Sequence, residues 1–476
     1  MDEPGRFERS MRESTPGTTP LRSRARSAGP RSRRVLLLTS GLGYGHRRAS
    51  DAIKQALAEL SPASVTSDLD FWSLMNPGVA GSIQQMYLQV VQRHSALYDR
   101  VYALDEHTWR RIVENDMEPP PEVLEMTEVI LASRNATEDI RKMLGPYPSD
   151  LVLFPTACAA LPRRAQRRHI AHALARAAVL KAVWMRLRKR MLQQIRRIDP
   201  DVIVATQMVP AALVSSLRVE RELTQPTIGV LTDFGVHDFW VQPGTDLFCV
   251  PDVSMAGPPF APDERARLDV TGVPLMPGFE DPPSAPEART MLGLDPVRPV
   301  VLVLGGGLGI GVDVVALRLL ASFADLQIVV MTGRNRHAAH ALAGAEAASG
   351  GRLRLRDWSD SMSIYFAAAS LVVGKPGGLT VAEALASGRP LLATRSLRGQ
   401  EGFNVRFLEQ HGVGRLLDDA QLVEQITAWL HDPQQLEDVQ ARAQRLGRRD
   451  GARAVARQAL ELADRYRGLA LTETVS

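Results

Sequence analysis

Short apolar runs alternate with helical repeats over most of this chain. Val35 to Thr39 (VLLLT) is continuously apolar, as in a strand buried on both faces. Behind it Ala49, Ile53, Ala56, Leu57 and Leu60 recur at helical spacing. DVIVAT (201–206) and TIGVLTDF (227–234) return as strands. A second series opens at PVVLVLGGGLGIGV (299–312) and continues with QIVVMTGRN (327–335), LVVGKPGG (371–378) and RPLLATR (389–395). Strands alternating with helices predict doubly wound parallel sheets of the α/β class, and two of them facing each other enclose a cleft. Residues 71–198 read as mostly helical, interrupted by EPPPE at 118–122. Residues 251–287 carry nine prolines and little periodicity, as a connection between domains does. The division expected is a disordered basic tail (1–33), a first domain with a helical insertion (34–255), a linker (256–287) and a second domain (288–470).

Composition narrows the class. A chain of 476 residues with 45% hydrophobic content is too long for one core. Its two cysteines, Cys158 and Cys249, suggest neither a disulfide framework nor a cysteine-based zinc site. No apolar stretch reaches the ~20 residues of a spanning helix, and the Arg-rich start has no apolar signal segment. These features predict a cytoplasmic chain, soluble or attached to a membrane surface. The formal charge is only +4, but residues 163–197 hold twelve Arg and Lys and no acid. Ile170, Leu174, Val179, Leu180, Val183, Trp184, Leu187 and Leu192 are interleaved with those cations. A basic amphipathic helix of this kind lies on anionic membrane; a core helix with a solvated basic face would read the same way.

The candidate chemistry sits where strands end. GKPGGLTVAEALASGRPLL (374–392) runs from a strand through a glycine pair into a helix, whose first N–H groups suit a diphosphate. Glu383, about one turn in, is placed to accept ribose hydroxyls, although a tight turn with a solvated glutamate would use the same letters. GGGLGIG (305–311) is a second glycine loop, and RGQEGFN (398–404) brings the hydrogen-bonding Gln400, Glu401 and Asn404 to the same crevice. TDFGVHDFW (232–240) puts Asp233, His237 and Trp240 at a first-domain strand end. SGLGYGHRRASDAI (40–53) places alternating glycines before His46, out of register with the dinucleotide fingerprint.

Together with VTGVPLMPGFE and GRN, these stretches occur in the order seen in a glycosyltransferase family. Residues 35 to about 450 resemble the monogalactosyldiacylglycerol synthase and processive diacylglycerol glucosyltransferase group, and more remotely the bacterial N-acetylglucosaminyltransferase that makes lipid II. The resemblance implies a GT-B fold, with a UDP-sugar in the second domain and a lipid acceptor on the first. It implies Gly305, Gly306, Gly307, Gly309, Gly377, Gly378 and Leu379 at the diphosphate and Glu383 at the ribose. The backbone near Trp358 would face uracil, and Gln400 and Glu401 the sugar. Arg334, Lys375, Thr380 and Asn404 are counted to the same site. Gly43, Gly45, Asp233, His237 and Trp240 fall on the acceptor side.

His46 is the expected base. At a helix start the dipole disfavours imidazolium, and a neutral imidazole takes a proton from an attacking hydroxyl. The activity implied is inverting transfer of a hexose from UDP-sugar to diacylglycerol, with no cofactor, no metal and no nucleic-acid partner. The enzyme would be peripheral, on the cytoplasmic face of the cell membrane. A UDP-sugar epimerase on the same scaffold, a transferase for another lipid, and a non-enzymatic sensor are the alternatives. Three departures from the family pattern stand out: Arg398 in place of proline, Ser370 in place of aspartate, and Gln207 in place of histidine. The first two would tune donor choice and the third the acceptor side.

Overall fold

A computed structural model describes residues 32–41, 44–74, 185–394 and 400–475. Most of the expected helical insertion, Arg398, and nearly all of the N-terminal tail lie outside the described residues. Two six-stranded sheets carry the fold, and every strand pairing in both is parallel.

The first sheet holds β1 (Arg34–Thr39), β2 (Val65–Asp70), β3 (Val202–Ala205), β4 (Thr227–Val230), β5 (Leu247–Val250) and β6 (Leu268–Val270), in the order β2-β1-β3-β4-β5-β6. The second holds β7 (Val300–Leu304), β8 (Gln327–Met331), β9 (Leu353–Arg356), β10 (Leu371–Gly374), β11 (Leu391–Ala393) and β12 (Gly414–Leu416), in the order β12-β11-β10-β7-β8-β9. Each order reverses once, between β1 and β3 and between β7 and β10. Ligands bind outside the carboxyl ends of strands at such reversals. The expected interior strands are all present. β6 falls inside the proline-rich stretch read as linker, so the first sheet continues into it.

Five helices position the site. They are α1 (Tyr44–Leu60), α2 (Met208–Val219), α3 (Val312–Ser322), α4 (Arg336–Ala348) and α5 (Gly378–Ala386). α6 (Gln400–Gln410) and the last helix, α7 (Gly451–Val475), complete the set used below. α7 returns to the first sheet. Its Ala452, Val455, Ala456, Ala459 and Ala463 form a stripe of small buried residues against Val35, Leu37, Val202 and Val204. Small side chains let the helix lie close to the sheet. Arg467 holds the buried Asp201 at 2.6 Å, and Asp201 also accepts the Arg34 N–H at 2.7 Å.

Two departures and part of the membrane expectation fall among the described residues. Ser370 precedes β10 at the end of the sheet remote from the cleft, where its Oγ accepts from Arg289 Nη2 at 3.0 Å and from Val300 N at 3.2 Å. It therefore touches no donor-facing element. Gln207 caps α2, its Oε1 accepting the Val209 N–H at 2.8 Å, which is a structural task. In the helical stretch 185–198, Leu187, Met191, Leu192 and Ile195 are buried in the first domain's core. Leu187 and Leu192 are thus not part of a membrane-facing stripe, whereas Lys189, Arg196 and Arg197 are exposed. The rest of that segment, 163–184, lies outside the described residues.

Ala459 is fully buried between α7 and the first sheet. Ala459→Leu should overpack this seam and lower unfolding free energy by about 1–3 kcal/mol, read by chemical denaturation. A change below about 0.5 kcal/mol would mean that α7 sits loosely on the sheet.

Candidate functional site

The carboxyl ends of the two sheets face each other across a cavity of ≈ 280 Å³. From the second domain come two backbone cradles. After β7, Gly306 adopts φ +65° and a side chain there would meet nothing nearer than Lys375 Cδ at 3.9 Å, so backbone is exposed to a ligand. Gly305 and Gly307 line the cavity beside it. Gly309 does not. It is packed so that a Cβ would stand 2.0 Å from the Thr332 carbonyl oxygen, and its N–H donates to Gly306 O at 3.0 Å, so its task is to close the turn.

The second cradle is the start of α5. Gly377 precedes the helix without a capping side chain, leaving first-turn N–H groups around Gly378, Leu379 and Thr380 for an anion. Lys375 lines the same wall and is ion-paired with the buried Glu401. Glu383 projects into the cavity further along α5. It is 8% exposed, and its carboxyl has no hydrogen-bond partner among the described residues. Burial pushes its pKa up to about 8, opposed by the charge of Arg48. A buried carboxyl without protein donors is chemically suited to accept from hydroxyls.

The first domain supplies the opposite wall. Gly45 and His46 line the cavity together with Thr232 and Asp233. His46 Nδ1 lies 3.2 Å from Thr232 Oγ1, and its carbonyl accepts from Thr206 Oγ1 at 3.0 Å. Burial lowers the His46 pKa, while the nearby Asp233 carboxylate pulls it the other way. The direction agrees with expectation; the dominant cause is desolvation rather than the helix dipole.

Other expected residues are placed elsewhere. Asn404 is fully buried and spends its amide on protein: Oδ1 accepts from Phe234 N at 2.8 Å, and Nδ2 donates to Asp233 Oδ1 at 2.9 Å and Pro376 O at 3.0 Å. It clamps the two domains instead of reading a sugar. His237 accepts the Phe239 N–H on Nδ1 at 3.1 Å, and Trp240 is buried in the first domain's core, so neither reaches the cavity. Arg334 is exposed and its guanidinium sits 4.5 Å from the centroid of Tyr44. Trp358 does line the cavity, 45% exposed. Gln400 begins α6. Gly43 lies outside the described residues.

Sequence reasoning missed Tyr44, Arg48 and Thr232, all of which line the cavity. Tyr44 and Arg48 are spaced to share one face of α1, a signal present in the sequence. What they face belongs to the other domain and has no local signature.

The raised pKa of Glu383 has a measurable sign. An unfolded glutamate titrates near 4.5 and the folded one at about 8, so the folded chain holds this proton across that window. Its contribution to stability is present at low pH and is lost as pH rises toward 8. Glu383→Gln should therefore melt like the wild type at pH 5 and at higher temperature than the wild type at pH 9, by differential scanning fluorimetry. Equal melting at both pH values would show that the ionised carboxylate is not a burden on the fold.

Residues 171–274 match the family model for monogalactosyldiacylglycerol (MGDG) synthase, and residues 300–455 match the glycosyltransferase family 28 C-terminal domain. A processive diacylglycerol beta-glucosyltransferase of Bacillus subtilis (strain 168) is 28% identical over 247 residues, 51% of this chain and 64% of that protein. The corresponding protein of Bacillus pumilus is 26% identical over 279 residues, 58% of this chain and 72% of that one. The first of these matches thus spans just under two thirds of the relative's length. Among solved structures, MurG of Acinetobacter baumannii superposes with a TM-score of 0.52 at 12% identity, covering 90% of this chain and 99% of that one, a likeness of fold. The two sheets form a GT-B fold, and over these matched segments the chain is similar to monogalactosyldiacylglycerol synthases, to processive diacylglycerol glucosyltransferases and to the C-terminal domain of glycosyltransferase family 28.

Proposed function

We propose that this chain is an inverting glycosyltransferase that moves a hexose from a UDP-sugar to the free hydroxyl of diacylglycerol. The observation that carries the reading is the facing of His46 and Glu383 from two domains across one cavity, with glycine loops between them. The relatives' activity and the family match support the substrate classes.

In this scheme the nucleoside diphosphate lies along the second domain. Its ribose hydroxyls bond to Glu383, and its phosphates face Gly306 and the start of α5. The acceptor hydroxyl oxygen attacks the anomeric carbon from the face opposite UDP. The new C–O bond forms as the bond to the diphosphate oxygen breaks, and UDP leaves with the electron pair. His46 takes the hydroxyl proton. With Nδ1 engaged by Thr232, Nε2 is the nitrogen left for it. The Asp233 carboxylate favours the imidazolium as it forms. Charge on the departing diphosphate is met by loop N–H groups, the α5 dipole and Lys375, a scheme that needs no metal.

The acceptor is a membrane lipid, and no described helix is long and apolar enough to cross a bilayer. The reading therefore places the first domain on the cytoplasmic membrane face, with the cations of 163–197 drawn to anionic headgroups.

Two variants separate the roles. Glu383→Ala should weaken UDP binding by about 1–3 kcal/mol in calorimetric titration, because a hydrogen bond to a charged group is lost. His46→Ala should bind UDP nearly normally but lose about 10²- to 10⁴-fold in turnover, scored as glycolipid formed from labelled UDP-glucose or UDP-galactose on diacylglycerol vesicles. Turnover of the histidine variant within a few-fold of wild type would move the base to another group. Sedimentation with vesicles should rise with anionic lipid, fall with salt, and collapse when four or five arginines of 163–197 become glutamine. Undiminished sedimentation of that variant would place the anchor elsewhere.

A further inference from the structure

Tyr44 and Arg48 lie one turn apart on α1, and both reach out of the first domain into the second. The Tyr44 ring stands 5.3 Å from that of Trp358, and Gly307 leaves room for it: a Cβ there would fall 2.0 Å from Tyr44 Cδ2. One turn on, Arg48 Nη1 donates to Asp360 Oδ1 at 2.8 Å and Nη2 to Asp360 O at 3.2 Å.

The burial of this ion pair is lopsided. The Arg48 side chain is 15% exposed, while that of Asp360 is 81% exposed. An ion pair with so exposed an acid returns little free energy, too little to explain holding a guanidinium largely out of water. Arg48 also lines the cavity, within electrostatic reach of Glu383. A guanidinium has five N–H donors in a fixed fork, and only two of the nitrogens are engaged by Asp360. The rest of the fork has no protein partner among the described residues, and a polar ligand in the cavity would supply one.

We propose that Arg48 is a nucleotide-binding residue supplied by the first domain: held by Asp360, it completes the pocket around Glu383 and ties nucleoside-diphosphate binding to the closed approach of the two sheets. This rests on the nucleotide site proposed above. It makes the donor pocket a product of both domains. A nucleotide that bonds to Arg48 braces α1 two residues from His46, so that donor binding steadies the placement of the base. The other charged groups around the cavity are His46, Asp233, Asp357, and the Lys375–Glu401 pair. Of these and Arg48, it is the Arg48 charge that opposes the burial of Glu383.

Calorimetric titration with UDP from pH 6.5 to 9.5 tests the assignment. Ribose hydroxyls donate to an ionised Glu383, so affinity should fall as pH drops through the pKa of that carboxyl. Arg48→Gln should weaken UDP binding about 10- to 100-fold and move the midpoint of this pH dependence upward, since a neighbouring cation is gone. Arg48→Lys should restore the midpoint and part of the affinity. Asp360→Asn, at a solvent-exposed position, should weaken binding by a smaller factor. A folded Arg48→Gln variant that binds UDP within about twofold of wild type, with an unmoved midpoint, overturns the proposal. If Arg48→Gln fails to fold, Asp360→Asn decides, and unchanged affinity there overturns it. A wild-type chain that binds no UDP sinks the nucleotide site itself, and this assignment with it.

Discussion

The two sheets meet so closely that their backbones touch, and one buried amide fixes how. A Cβ on Gly378 would stand 1.9 Å from the Thr232 carbonyl oxygen, so the start of α5 and the loop after β4 approach as only glycine allows. Asn404 locks that approach. Fully buried, it must find partners for its oxygen and both N–H groups, and it finds them on Phe234, Asp233 and Pro376. Phe234 and Asp233 belong to the first domain, and Pro376 leads into the second domain's anion cradle. Losing the amide would strand a buried N–H at a cost of about 1–3 kcal/mol and unfasten the carboxylate that faces His46.

Around this contact the unliganded cleft avoids bare charge. Lys375 and Glu401 neutralise each other, as do Arg48 and Asp360. Glu383 and His46 have no such ionic partner in contact, and burial drives both toward their neutral forms. Desolvation outweighs the charges that oppose it, Arg48 in one case and Asp233 in the other. The consequence for the two groups differs. A neutral imidazole is able to accept a proton, whereas a neutral carboxyl must lose one before it is a full-strength acceptor. Any ligand that bonds to the Glu383 carboxylate is therefore linked to the ionisation of that group.

Most of the interior of the fold was legible in the sequence because β1, β3, β4, β7, β8 and β10 are buried on both faces and read as unbroken apolar runs, although the interior β5 (LFCV), only four residues long, was not read. The edge strands were not. β2 (VTSDLD) and β9 (LRLR) are partly solvated, and β6 and β12 are three residues long, so none produces an apolar run. The site divided along similar lines. Glycine loops and Glu383 sit on contiguous motifs whose turn chemistry is local. Asn404 and His237 carry equally suggestive letters, yet what they bond to is decided by packing: a domain junction for one, a backbone turn for the other. Arg48 was overlooked for the converse reason, since its partner Asp360 lies 312 positions along the chain.

The return of α7 to the first sheet adds a constraint on how the cleft works. The chain crosses between domains twice, once in the proline-rich passage and again before α7. The crossings are adjacent: a Cβ on Gly272 would stand 2.7 Å from Arg448 Cβ, and one on Gly451 would stand 2.6 Å from the Val273 carbonyl oxygen. Two crossings held side by side restrict the sheets to opening and shutting about that line and resist sliding of one past the other. The contacts of Asn404, Tyr44 and Arg48 all bridge the two domains. A ligand that engages both walls would favour this approach of the domains by no more than its differential affinity for it. Two crossings on one line, with the contacts of Asn404, Tyr44 and Arg48 bridging the cleft, therefore make the shape of the cleft a property of both domains together.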